Sequence, residues 1–131
     1  MSTHTKLNLR DDVPSPHAEH GMAEVLDGAH FARKALGMST GGLSLFRIRP
    51  GQRLPFGHTH AEQEETYVVI SGAARMKVED EIVELGRLDA VRVSPGAWRG
   101  LESGPDGAEV LAFGAPDTDN ADAEMQPGWW S

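Results

Sequence analysis

The sequence predicts an all-β domain, and three observations predict it. Apolar runs are short. Gly, Pro and Asp interrupt them throughout, with 15 Gly and 8 Pro in 131 residues. Several runs, such as Thr66-Tyr-Val-Val-Ile70, are β-branched and aromatic, as pleated strands prefer. The length suits one domain with one core. A formal charge of −8, spread along the chain, disfavours nucleic acid and anionic membranes as partners. There is no cysteine, so disulfide and thiolate chemistry are excluded. No apolar run approaches a membrane span, and the N-terminus lacks a basic-then-apolar leader. The expected setting is the cytoplasm.

Taken in order, residues 1–21 are polar and contain Pro14, Pro16, His4, His17 and His20, and read as a disordered arm with solvent-exposed histidines. Leu7 and Leu9 could instead form an edge strand added to a partner subunit. Residues 22–116 read as the folded body and 117–131 as an acidic linker with a tryptophan tail. Residues 29–36 combine helical propensity with a Gly37 stop, as a single turn or else an outer strand. His30, within them, reads as a surface or packing residue. Residues 42–49 are a strand with apolar side chains on both faces, followed by a Pro50-Gly51 turn.

Strand 66–70 closes at Ser71-Gly72, and residues 73–78 return with Met76 and Val78 inward. Glu79-Asp-Glu81 is an acidic hairpin loop. Residues 82–85 and 88–93 are strands, separated by a Gly86 turn, with Val91 and Val93 on one face. Ser94-Pro95-Gly96 is a tight turn, 97–101 a short strand and Gly104-Pro-Asp-Gly107 a turn; 108–113 is the last strand. Trp129 and Trp130 are too apolar to leave in water. They pack on this body or on a partner subunit, or they plug a ligand cavity.

The chemistry centres on His58-Thr-His60-Ala-Glu-Gln-Glu-Glu65. Residues i and i+2 of a strand share a face, so His58 and His60 present two imidazoles side by side. Glu65 opens the following strand and can fold its carboxylate back beside them. Two neutral imidazoles and one carboxylate form the open-sided site expected for non-haem Fe(II), and suit Mn, Ni or Zn less selectively. Tyr67 shares the Glu65 face, as wall lining or as a donor to substrate.

This run resembles the first motif of the cupin superfamily: a Gly, a spacer, His-x-His, three or four residues, Glu, six residues, Gly. Here it reads Gly51, His58-Thr59-His60, four residues, Glu65, six residues, Gly72, with six spacer residues before His58. The resemblance implies a double-stranded β-helix, or jelly-roll barrel, often a homodimer. It also selects Glu65 over Glu62 and Glu64. The second cupin motif is altered. Ser94-Pro95-Gly96 matches its turn, Arg99 stands where the family usually places a third histidine, and Ser103 stands at the Asn position. Arginine stays protonated and offers no lone pair, so at most His58, His60 and Glu65 remain for a metal.

Two expectations for Arg99 follow. Either it binds the carboxylate of a substrate through its planar fork, or it pairs with Glu65 and replaces the metal. The corresponding functions are a small metal-dependent enzyme, an oxygenase or isomerase, acting on a small anionic molecule, and a metal-free module that binds one. A structural accessory protein, working through arm and tail, is a third.

Overall fold

The computed structural model describes residues 3–16, 22–117 and 120–131, and is dominated by antiparallel strands in one strongly curled sheet. A helical turn, α1 (Met22–Val25), leads into β1 (Leu26–Phe31), and a second turn, α2 (Arg33–Leu36), precedes β2 (Gly42–Ile48). Residues 29–36 therefore divide between strand and helical turn. Gly37 ends α2 in the left-handed conformation at φ 71°. Then come β3 (Phe56–His60), β4 (Glu64–Val78), β5 (Glu81–Leu85), β6 (Ala90–Val93), β7 (Arg99–Ala115) and β8 (Ala123–Pro127). Neighbours run β1-β2-β7-β3-β8, while β4 pairs with β5, β6 and β7. Among the described residues, no helix is long and apolar enough to cross a membrane.

The two longest strands hold the fold together. The first half of β4 pairs with β7 from Glu64↔Ala115 to Gly72↔Ala108, and its second half from Ala74↔Ser103 to Val78↔Arg99. The expected chain reversal at residues 104–107 does not occur. Those residues lie between the two pairing registers, unmatched by β4, and β7 continues in the same sense. Strand β4 likewise does not close at Gly72. Gly72 has φ 71°, and a Cβ there would collide with the Gly107 carbonyl oxygen. The glycines accommodate the break in register between the two halves of the β4–β7 ladder.

Val69, Met76 and Val110 are wholly buried, and Ile48, Tyr67, Leu85, Val93 and Leu101 pack with them. Met76 thus faces inward as alternation predicts, and Val78 and Val91 lie against the same core. Val13 is buried too, and His30, itself buried, is bonded through Nδ1 to the Val13 carbonyl at 2.7 Å. His30 is a packing residue. Residues 3–16 form no strand within the chain itself. His17 and His20 lie outside the described residues.

The stretch that reads as a linker is also built into the sheet. Strand β8 pairs along β3 from Phe56↔Pro127 to His60↔Ala123. Trp129 lies against Gly57 and Gly100, where a Cβ would come within 2.5 Å and 2.6 Å of its side-chain atoms. Its Nε1 donates to the Lys77 carbonyl at 3.1 Å, and Lys77 Nζ sits 4.6 Å from a ring centroid and donates to the Trp129 carbonyl. The Arg53 guanidinium stacks 4.9 Å from the Trp130 ring. The tail packs on its own barrel. Trp129→Ala is expected to cost about 2–3 kcal/mol, below the ~3–5 kcal/mol of a fully buried aromatic because the ring is only half-buried. Urea unfolding measures this; an unchanged midpoint would mean the tail is not docked in solution.

Candidate functional site

Three strands bring the candidate residues together. Strand β3 carries His58 and His60, β4 carries Glu65 and Tyr67 near its start, and β7 starts at Arg99. The ladder pairs His58 directly with Arg99, which sets the arginine beside the imidazoles. The Ser94-Pro95-Gly96 turn holds this geometry, since Gly96 donates its N–H to the His60 carbonyl at 2.7 Å. All five side chains line one cavity of about 680 Å³.

The Glu65 Oε1 atom is the focus. The Tyr67 hydroxyl donates to it in a short hydrogen bond. His58 Nε2 lies 3.3 Å away, Arg99 Nη2 3.5 Å and His60 Nε2 3.9 Å. The imidazoles meet edge-on at 89°, with centroids 5.2 Å apart. Burial alone would raise the Glu65 pKa. Hydrogen bonds from His58 and Tyr67, with positive charge on His58 and Arg99, outweigh it and hold the carboxyl below its ordinary 4.5. Burial, then the Glu65 charge, pushes the Tyr67 hydroxyl well above its usual 10.0. At neutral pH the pair is therefore a carboxylate and a protonated phenol, one accepting and the other donating.

Arg99 is wholly buried. Its Nη1 donates to the Ala97 carbonyl at 2.9 Å, while Nε and Nη2 lack hydrogen-bond acceptors among the described residues. At 3.5 Å the Nη2 contact with Glu65 is an ion pair without hydrogen-bond geometry. The guanidinium thus brings a charge to the pocket wall, with two donor nitrogens that are sealed from water and unmatched.

Two contributors escape a reading of the sequence alone. Gln63 is buried, wedges against Gly114 and donates to the Pro116 carbonyl at 3.1 Å. Asp122, just before β8, bonds His60 Nδ1 at 3.0 Å. No local pattern marks it, because it sits among other acids in an apolar-poor stretch and reaches the site only through the β8–β3 pairing.

A family model described as the cupin domain matches residues 44–113, more than half of the chain. The chain belongs to the cupin family. Solved cupins share its architecture. A cupin protein of Bacteroides fragilis is 20% identical with a TM-score of 0.71, over 90% of this chain and 88% of that one. A variant of Streptomyces PAC13 solved with uridine is 16% identical with a TM-score of 0.74, over 97% and 93%. PAC13 is described as a nucleoside dehydratase. KdgF from a Halomonas species is 16% identical with a TM-score of 0.61, over 71% and 81%. At these identities the likeness is one of fold. No curated protein matches the chain in sequence.

The cupin metal position can be tested against these residues. One ligand atom each from His58, His60 and Glu65 lies within 4.8 Å of the others, so the three could hold an ion. Charge is less accommodating. A unit cation ~5 Å from a divalent ion costs roughly 6–7 kcal/mol at an effective dielectric of ~20. Four-ligand zinc sites gain on the order of 10–16 kcal/mol, and this set has three protein ligands. The donor atoms fit a metal, but the buried Arg99 beside Glu65 does not.

Proposed function

We propose that this cupin binds a small anionic organic molecule in its barrel, with Arg99 as the resident cation in place of a metal. The observation that supports this most is the buried Arg99 guanidinium, paired with Glu65 and with two nitrogens still lacking acceptors among the described residues. A carboxylate suits those nitrogens, because a planar fork meets a planar pair of oxygens. The pocket's polarity supports the same orientation. Arg99, Tyr67 and His60 lie deep in the pocket beside Leu101 and Ala112, whereas Phe31 and Met125 on its lining are 52% and 61% exposed. A ligand with an anionic head and an apolar body would enter head first. Proton chemistry is within reach of the site, with Tyr67 as donor and His60 Nε2 free of hydrogen bonds from the described residues. A homodimer belongs to this reading, with Phe113 as exposed apolar surface for a second copy to cover.

A second reading keeps a divalent metal, Fe, Mn, Ni or Zn, on His58, His60 and Glu65. The bond from Asp122 to His60 Nδ1 favours it, because metal-bound imidazoles commonly donate their other nitrogen to a carboxylate. When bound, the ion would supply Lewis acidity and open positions for substrate. Arg99 would have to turn away from Glu65.

Elemental analysis of untagged protein, joined to thermal shifts with acetate, benzoate, benzyl alcohol and uridine, separates the two. We expect protein without stoichiometric metal that is stabilised by benzoate, an effect lost in Arg99→Gln. One tightly held ion per chain, lost on His58→Ala, would establish the second reading instead. Stabilisation by benzyl alcohol equal to that by benzoate would remove the anionic requirement.

A further inference from the structure

Behind the five residues above, Asp122 reaches the site through His60. Its side chain is only 6% exposed. The Oδ2 atom accepts two backbone N–H groups, from Glu62 at 2.9 Å and Gln63 at 3.0 Å, both in the bend between β3 and β4. The Oδ1 atom lies 3.0 Å from His60 Nδ1. The backbone joins in, with the Ala61 N–H donating to the Asp122 carbonyl at 3.1 Å. An aspartate is ordinarily ionised at neutral pH and then only accepts, and the two backbone donors on Oδ2 favour that form. The proton shared with His60 must therefore sit on Nδ1.

We infer that Asp122 is a positioning residue, fixing His60 as the Nδ1–H tautomer and turning the bare Nε2 into the cavity. Nε2 is the atom that approaches Glu65 Oε1, at 3.9 Å. In a neutral imidazole one nitrogen donates and the other accepts, so anchoring Nδ1 decides what Nε2 can do. With Asp122 in place, Nε2 offers a lone pair, which is what a proton-accepting group or a metal ligand needs. Without it, the ring could present an N–H to the same point. The inference rests on this cavity being the working site, and it holds with or without a metal there.

The tautomer can be read directly by long-range ¹H–¹⁵N correlation of the histidine side chains, on chelator-treated protein without ligand, above the histidine titration range. In the native chain, the His60 nitrogen with the signal of a bare, unprotonated nitrogen should be Nε2. Asp122→Asn gives the decisive contrast. The Glu62 and Gln63 N–H groups still require an acceptor, so the amide oxygen turns toward them and the amide NH₂ faces His60. Nδ1 must then accept, and the bare-nitrogen signal should move from Nε2 to Nδ1. A second variant, Asp122→Ala, should leave His60 as a mixture of tautomers. A native spectrum with the proton on Nε2, or an unchanged His60 pattern in both variants, would overturn the assignment. If neither variant folds, the native spectrum alone decides. Because no ligand is used, failure here is distinct from failure of the anion-binding reading, which the thermal shifts address.

Discussion

Replacing Arg99 with methionine is expected to cost about 3–5 kcal/mol of stability at neutral pH, because it strands a buried carboxylate. The Arg99 side chain is 1% exposed and Glu65 15%, so water compensates little. His58 and Tyr67 remain beside Glu65, which places the cost toward the lower end of that range. Adding Glu65→Gln to the variant should recover part of the loss, a coupling of about 0.5–3 kcal/mol between contacting residues. The pH dependence has a definite sign. Glu65 has a folded-state pKa below 4.5, so its contribution is fully present above that value and is lost as pH falls through the folded one. Arg99→Met removes one of the groups holding that pKa down. The gap between native and variant protein should therefore be widest above pH 4.5 and close in stronger acid. Urea unfolding across a pH series measures both. Equal midpoints at neutral pH would show that the Arg99–Glu65 pair contributes nothing.

Gly72→Ala should be nearly as damaging, for a reason unrelated to chemistry. Its φ of 71° lies in the left-handed region, which costs a residue with a Cβ about 1–2 kcal/mol. The added carbon also meets the Gly107 carbonyl, a backbone atom that no rotamer change can move aside. The sum is on the order of 3 kcal/mol or more. Gly96 is the internal control: its φ is 87°, but nothing lies within 4 Å of where a Cβ would sit. Gly96→Ala should lose only the conformational part. Similar unfolding midpoints for the two variants would mean that the β4–β7 approach is looser than described.

These two positions also show what the sequence can and cannot convey. The His-x-His spacing, a carboxylate at Glu65 and Tyr67 two residues on are legible because strand periodicity alone puts them on shared faces. The arginine at position 99 is visible as a departure from the family pattern, but its direction depends on the His58↔Arg99 pairing, a contact between distant segments. Gly72 and the stretch from Gly104 to Gly107 stand out as places where the backbone does something special. Their meaning differs from the local reading, because a glycine that permits a bend and one that ends a strand look alike in sequence. Asp122 and Gln63 carry no such signal. Each is defined by what it touches across the fold, Asp122 through β8 and Gln63 through Gly114 and Pro116.

The placement of β8 has a consequence for biosynthesis. Strands β1 to β7 can assemble their ladders once residue 115 has left the ribosome, since every pairing among them is then available. His60, however, acquires its anchor only when Asp122 emerges, and β3 gains its β8 neighbour only when residue 127 does. A nascent chain therefore has a sheet before it has a finished pocket. A truncation between residues 115 and 122 should leave His60 without that anchor.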